Sequence, residues 1–180
     1  TWADHRGYEH QTMIGMTRSN VTFVGTGKDT STVLGGFAIY NLENITFKQM
    51  TVTNTSEYDF GILMRNAKVE LIDVAVKGCG NSGLFANSST AVVATRCEFA
   101  NSYCGAEIDG SLTSAKFNNC VFHDNSDDGI SGTESTIHLH GEATAIHSNG
   151  GYGISAFNSG KVILHLPSHH NTFYNNKGQD

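Results

Sequence analysis

The sequence predicts an all-β solenoid: a single-stranded right-handed parallel β-helix of about six coils with an N-terminal cap. Three observations predict it. First, a glycine heads the pieces Gly36-Phe37-Ala38-Ile39, Gly61-Ile62-Leu63-Met64, Gly83-Leu84-Phe85-Ala86, Gly105-Ala106-Glu107-Ile108, Gly129-Ile130-Ser131-Gly132 and Gly153-Ile154-Ser155-Ala156. It recurs at steps of 25, 22, 22, 24 and 24 residues, and a fixed period in this range marks a repeat architecture. Second, apolar residues alternate after each glycine (Ile62/Met64, Leu84/Ala86, Ala106/Ile108, Ile154/Ala156) and again further on (Ile45/Phe47, Val69/Leu71, Val92/Ala94, Ala115/Phe117, Ile137/Leu139, Val162/Leu164). Period-two alternation is the signature of a strand. Third, a single apolar column follows: Val52, Val76, Phe99, Phe122, Ile146 and Phe173. A unit this short cannot bury its own apolar face, so it stacks on its copies. Each strand then pairs in parallel with the next copy about 4.8 Å away.

Taken in order, residues 1–18 do not fit the repeat. Tyr8, Met13, Ile14 and Met16 can cover the open end of the first coil, as a solenoid requires; Trp2, His5 and His10 offer a site in the same segment. Residues 19–180 form the β-helix, and the chain reads as a fragment of a longer protein. In the first coil, Gly25-Thr26-Gly27-Lys28-Asp29 only superficially resembles a phosphate loop, which needs Ser/Thr after the lysine and then a helix. The second coil carries the acidic, aromatic corner Ser56-Glu57-Tyr58-Asp59-Phe60, which can stack on sugar rings or simply close the corner.

The four cysteines divide by position. Cys97 and Cys120 share the inward column of Met50 and Val74 and are expected to stack as small core residues. Cys79 and Cys104 lie in corners before the repeat glycine and can pair only if their α-carbons come within about 4.4–6.8 Å. No Cys-x-x-Cys occurs, so the spacing is not that of a zinc site. Asn54, Asn101, Asn125, Asn149 and Asn176 follow the third column and are expected to support the corners, since asparagine tolerates left-handed backbone angles and bonds a stacked neighbour. His123 and His147 are equivalent one coil apart, as are Lys116 with His138 and His140 with His165. Stacked histidines can bind a transition metal or change charge near neutral pH; outward ladder positions also explain them.

Composition narrows the function classes. Charged residues make up 16% of the chain and the net charge is −6 with histidine neutral. No basic stripe is visible, which argues against nucleic acid. No apolar run is long enough to cross a membrane. An anionic polysaccharide would need a local basic patch or a bridging metal. Sequons occur at Asn20, Asn44, Asn54 and Asn87, which permit glycosylation if the chain is secreted.

The densest chemistry lies in residues 105–134. Glu107 and Asp109 point outward from the strand after Gly105, with Phe85 and Asn87 as ladder neighbours on one side and Ser131 and Thr133 on the other. Asp124, Asp127 and Asp128 occupy the next corner, and Glu134 follows. Three readings stand open. Asp124, Asp127 and Asp128 can bind calcium through hard oxygen ligands, and such an ion can hold a uronic acid and acidify its C5 proton. Glu107, Asp109, Asp127 and Asp128 can act as paired carboxylates in glycoside hydrolysis. The cluster can also be a solvated acidic edge.

Tyr152-Gly153-Ile154-Ser155, Asp128-Gly129-Ile130-Ser131 and Ser19-Asn20-Val21-Thr22-Phe23-Val24-Gly25-Thr26-Gly27-Lys28 resemble repeats of the pectate-lyase-like superfamily of right-handed parallel β-helices. The last segment is similar to the early coil of pectin esterases. The resemblance implies a polysaccharide as partner on an exposed ladder surface, an extracellular or surface-exposed location and, if there is chemistry, a lyase, hydrolase or epimerase. Asp124-Asn125-Ser126-Asp127-Asp128-Gly129-Ile130 is similar to the acidic elements of polygalacturonases, but the Gly-His-Gly and Arg-x-Lys elements of that group are missing, as is the Asp-Pro-His-Asp of alginate epimerases. A pectate-lyase mechanism implies a basic residue beside the metal. Arg65 and Lys116 are the nearest candidates, with Phe85 as a stacking surface. The alternative is a non-catalytic rod or attachment module that meets protein partners in a larger assembly.

Overall fold

The computed structural model describes residues 2–3, 9–10 and 12–178. Its strands form a parallel β-solenoid. The first column is a seven-stranded sheet running from Met13–Gly15 through Gly36–Tyr40, Ile62–Arg65, Leu84–Asn87, Ala106–Asp109 and Ile130–Thr133 to Ile154–Phe157. The second and third columns belong to one twelve-stranded sheet, because Ile45–Thr53 and Lys68–Lys77 each bend through the corner and serve both columns. Among the described residues the stack thus has about seven turns, in keeping with the about six coils that the repeat glycines mark. The additional turn lies at the N-terminus, where Met13 pairs with Gly36 and Gly15 with Ala38.

The capping expected of residues 1–18 falls partly outside the described residues, as do Tyr8 and His5. Trp2–Ala3 pairs antiparallel with Glu9–His10, while Met13–Gly15 is the first strand of the stack. Met16 packs against the core, and Ile14 is half exposed.

The predicted ladders hold in register. Ile45, Val69, Val92, Ala115, Ile137 and Val162 align in the second column. Val52, Val76, Phe99, Phe122, Ile146 and Phe173 align in the third. Stacking places like rings face to face: Phe23 on Phe47 at 5.1 Å and Phe99 on Phe122 at 4.9 Å. Cys97 and Cys120 are buried in the same interior; all four cysteines are free thiols, Cys79 and Cys104 included.

The corners explain the glycines and asparagines. A Cβ on Gly61, Gly83, Gly105 or Gly129 would fall 2.5–2.9 Å from the carbonyl oxygen of the next repeat glycine, so no larger residue fits where successive turns cross. From Lys68–Lys77 onward, the residue after each third-column strand takes a left-handed backbone: Gly78, Asn101, Asp124, Ser148 and Asn175. Asn and Asp adopt that region more easily than other side-chain-bearing residues. The residue after it forms the internal ladder. Asn125 Nδ2 donates to Asn149 Oδ1 at 2.9 Å, and Asn149 Nδ2 to Asn176 Oδ1 at 2.8 Å. Ser102, not Asn101, continues this ladder, its N–H donating to Asn125 Oδ1; Asn101 is the left-handed residue one step earlier. Asn54 is also interior, 2% exposed with Nδ2 donating to Phe60 O, so its sequon is closed in the folded chain. Among the described residues no helix is long and apolar enough to cross a membrane.

Candidate functional site

The corners that lead into the first column stack as ladders of their own. Asp127 N donates to Tyr103 O and Gly151 N to Asp127 O, both at 2.9 Å. Tyr103, Asp127 and Gly151 therefore lie above one another on successive turns, with Cys104, Asp128 and Tyr152 beside them. Glu107 and Ser131 follow on the adjoining strands and pair directly. These residues and Phe157 line an open cleft of about 330 Å³, toward the small end of the roughly 300–1,000 Å³ that ligand clefts occupy. Gly151 is what opens it: a Cβ there would clash with Asp128 Oδ1 and lie 2.6 Å from Asp127 Oδ1.

The three carboxyl groups of the cleft sit in different surroundings. Ser82 Oγ donates to Glu107 Oε2 at 3.0 Å. Burial pushes the Glu107 carboxyl up from its ordinary range, the Ser82 hydrogen bond partly offsets this, and nearby Asp109 pushes it up further. The Asp127 carboxylate beside the Tyr103 hydroxyl raises that phenol. Asp128 is 6% exposed. Its Oδ1 accepts Tyr152 N–H at 2.7 Å and its Oδ2 accepts the Ser155 hydroxyl. Asp128 is thus a brace between the sixth and seventh turns. The Cys104 thiol is pushed up to about 12, first by burial and then by the surrounding carboxylates, so it stays protonated and offers no thiolate nucleophile.

Glu107, Asp127 and Asp128 of the sequence candidates come together. The others lie elsewhere. Asp109 lines a separate recess of about 220 Å³ with Asn87, Gly110 and Leu112. Asp124, the left-handed corner residue, pairs with His123 Nδ1 at 2.7 Å. Phe85 stands beside Glu107 in the ladder but packs on Phe60 at 4.9 Å, against a small apolar cluster that includes Ala38 and Leu63. Arg65 lies over the Tyr40 ring at 5.6 Å. Lys116 is on the second column beside Val93 and His138. Neither cation lines the cleft. Tyr103, Tyr152 and Phe157 are the residues that sequence reasoning did not single out. All three line the cleft, 50%, 46% and 50% exposed.

The family described as a right-handed β-helix region matches residues 60–179. The chain belongs to that family. Membership agrees with the hand expected from the sequence, and a placement within the pectate-lyase-like superfamily is consistent with it. No curated protein matches the chain. A solved structure from Geobacillus virus E2, described as ORF18, is similar over 91% of this chain and 50% of its own length, at 13% identity and a TM-score of 0.36. The chain thus spans half the length of that relative.

Proposed function

We propose that the cleft of the fifth to seventh turns binds a neutral, hydroxyl-rich polysaccharide, with Glu107 and Asp127 as the pair able to process it. The observation that carries this reading is the convergence of Tyr103, Tyr152 and Phe157 with Glu107 and Asp127 on one open surface. Aromatic faces bury the apolar faces of sugar rings, and carboxylates accept hydrogen bonds from sugar hydroxyls. Glu107 is the carboxyl pushed toward retaining a proton, as a general acid needs. Asp127, beside the Tyr103 hydroxyl, is the second carboxyl that lines the cleft open to a substrate, because Asp128 is committed to Tyr152 and Ser155.

Charge selects among substrates. Among the described residues, acidic side chains and no Lys or Arg line the cleft, so a uronate chain meets repulsion and finds no base beside it. This favours the hydrolytic reading over the calcium-dependent lyase reading. An extracellular or surface location suits such a partner.

The test is a titration with neutral and uronate oligosaccharides together with a reducing-end assay. A neutral glycan is expected to bind the native chain. Tyr152→Ala weakens that binding, while Glu107→Gln keeps binding and abolishes any release of reducing ends. Binding restricted to uronates contradicts the reading.

A second reading has its own observation. The seventh turn leaves Leu164 and Leu166 51% and 87% exposed, a surface that suits attachment to protein partners in a larger assembly. The glycan titration separates the two, since an attachment module shows no aromatic-dependent glycan binding.

A further inference from the structure

Away from the cleft, three imidazoles gather on the outer face of the second column. His138 and His140 are two residues apart on the strand Thr136–His140 and so project from the same face. His165 N donates to Leu139 O at 2.9 Å, which sets its ring one turn further along. The His140 and His165 rings stack at 3.8 Å and 10°. His138 Nδ1 and His165 Nε2 lie 2.8 Å apart. One ring nitrogen from each residue falls within 4.8 Å of the others. His140 Nε2 is buried with no hydrogen-bond partner, and a buried polar atom without a partner calls for an explanation.

We propose that His138, His140 and His165 form a binding site for one divalent transition-metal ion, of which zinc is the probe, linking the sixth and seventh turns. Three imidazoles suit zinc, copper or nickel, whereas calcium and magnesium require oxygen ligands. Three protein ligands leave a fourth position open on a tetrahedral ion. Burial pulls the His138 and His140 rings down, with the neighbouring His165 and Lys116 adding to the effect. This favours the neutral imidazole whose lone pair a metal needs. Lys116, next to His138 in the ladder, opposes any cation held by charge alone and leaves coordination as the source of affinity. Zn–N bonds of about 2.0–2.1 Å in tetrahedral geometry put ligand nitrogens roughly 3.3 Å apart, so the His138–His165 pair opens by about half an ångström. The proton between those two nitrogens shifts to the ring nitrogen on the far side of the same imidazole.

The experiment is a zinc chloride titration of the whole chain by calorimetry at pH 7.5, with far-ultraviolet circular dichroism to verify folding. One zinc per chain is expected. His140→Ala and His165→Asn should each weaken binding by more than about 100-fold, since even an outer-shell partner is worth about 10–100-fold. A double His169→Ala/His170→Ala variant should leave it intact, which separates the site from the exposed Glu142–His169–His170 group. Nitrogen-15 imidazole spectra of the unmodified chain provide a readout that needs no variant: three histidines should shift together with the first equivalent. No one-to-one binding, binding unchanged in both single variants, or binding lost only in the His169/His170 variant overturns the site.

Discussion

The acidic corner of the fifth to seventh turns and the histidine face of the sixth and seventh belong to one stack, yet they accommodate like side chains in opposite ways. Stacking brings equivalent residues to about 5 Å of one another. Carboxylates at that spacing repel, so the corner sets them in different surroundings: Ser82 donates to Glu107, Tyr152 N–H and Ser155 donate to Asp128, and Asp127 lies beside the Tyr103 phenol. Neutral imidazoles need no such separation. They pair nitrogen to nitrogen and stack their rings. The corner is therefore a surface that presents acceptors to hydroxyl groups, and the histidine face one that presents lone pairs to a cation.

The largest effects should come from breaking the corner. Asp128→Ala removes the partner of a part-buried N–H and a buried hydroxyl, which costs about 2–4 kcal/mol and lowers the melting temperature by roughly 4–16 °C at about 2–4 °C per kcal/mol for a chain of this size. Gly151→Ala should act similarly and also fill the cleft. Asp127→Asn, one residue away, should leave stability nearly unchanged. Equal losses in Asp127→Asn and Asp128→Ala would sink the division between brace and working carboxyl.

Acid should distinguish the two regions next. The folded-state values of His138, His140 and His147 are lowered, chiefly by burial. Their contribution is thus fully present above the ordinary histidine value of about 6.5 and is lost as pH falls through and below it. Thermal melts between pH 7.5 and 5 should show falling stability, and a His138→Asn/His140→Asn/His147→Asn variant should flatten the slope. A slope of equal steepness in that variant would place the sensitivity elsewhere.

Glu107 has the opposite sign. Its carboxyl is raised, so its contribution is present below the unfolded value of about 4.3 and is lost as pH rises through the folded value. Glu107→Gln should therefore be slightly more stable than the native chain at pH 7 while losing any hydrolytic activity. A drop in stability would reassign Glu107 to a structural role. The smallest effect is expected from Arg96→Ala. Arg96 makes a bidentate pair with Asp73 at 2.8 Å, but the pair lies at the surface, where such contacts add little.

Much of this was legible in the sequence, and the limits have physical causes. The Val52-to-Phe173 column was readable because every member faces the same interior. The Cys97–Cys120 and His123–His147 neighbours followed from that register. Asn101 was misplaced by one residue because the left-handed residue and the ladder residue are adjacent, and asparagine suits both. The cleft was half legible. Glu107, Asp127 and Asp128 were found by charge and spacing, but Asp124 turned out to be the residue that turns the corner. The role of Asp128 depends on a backbone N–H one turn away, which no side-chain pattern announces. Tyr103, Tyr152 and Phe157 are not marked as site residues by the sequence because they lie at a corner or a strand end, outside the alternation. Their only signal was an aromatic residue near a repeat glycine.

The measurement that tests the central claim most directly is an isotope-edited NMR titration of the native chain with neutral gluco-, xylo- and manno-oligosaccharides, beside an oligogalacturonate. The account predicts that a neutral oligosaccharide shifts the amide signals of Tyr103, Glu107, Asp127 and Tyr152, and that Tyr152→Ala and Phe157→Ala suppress the shifts. Shifts caused by the uronate alone, or no shifts at these four positions with any glycan, would contradict it.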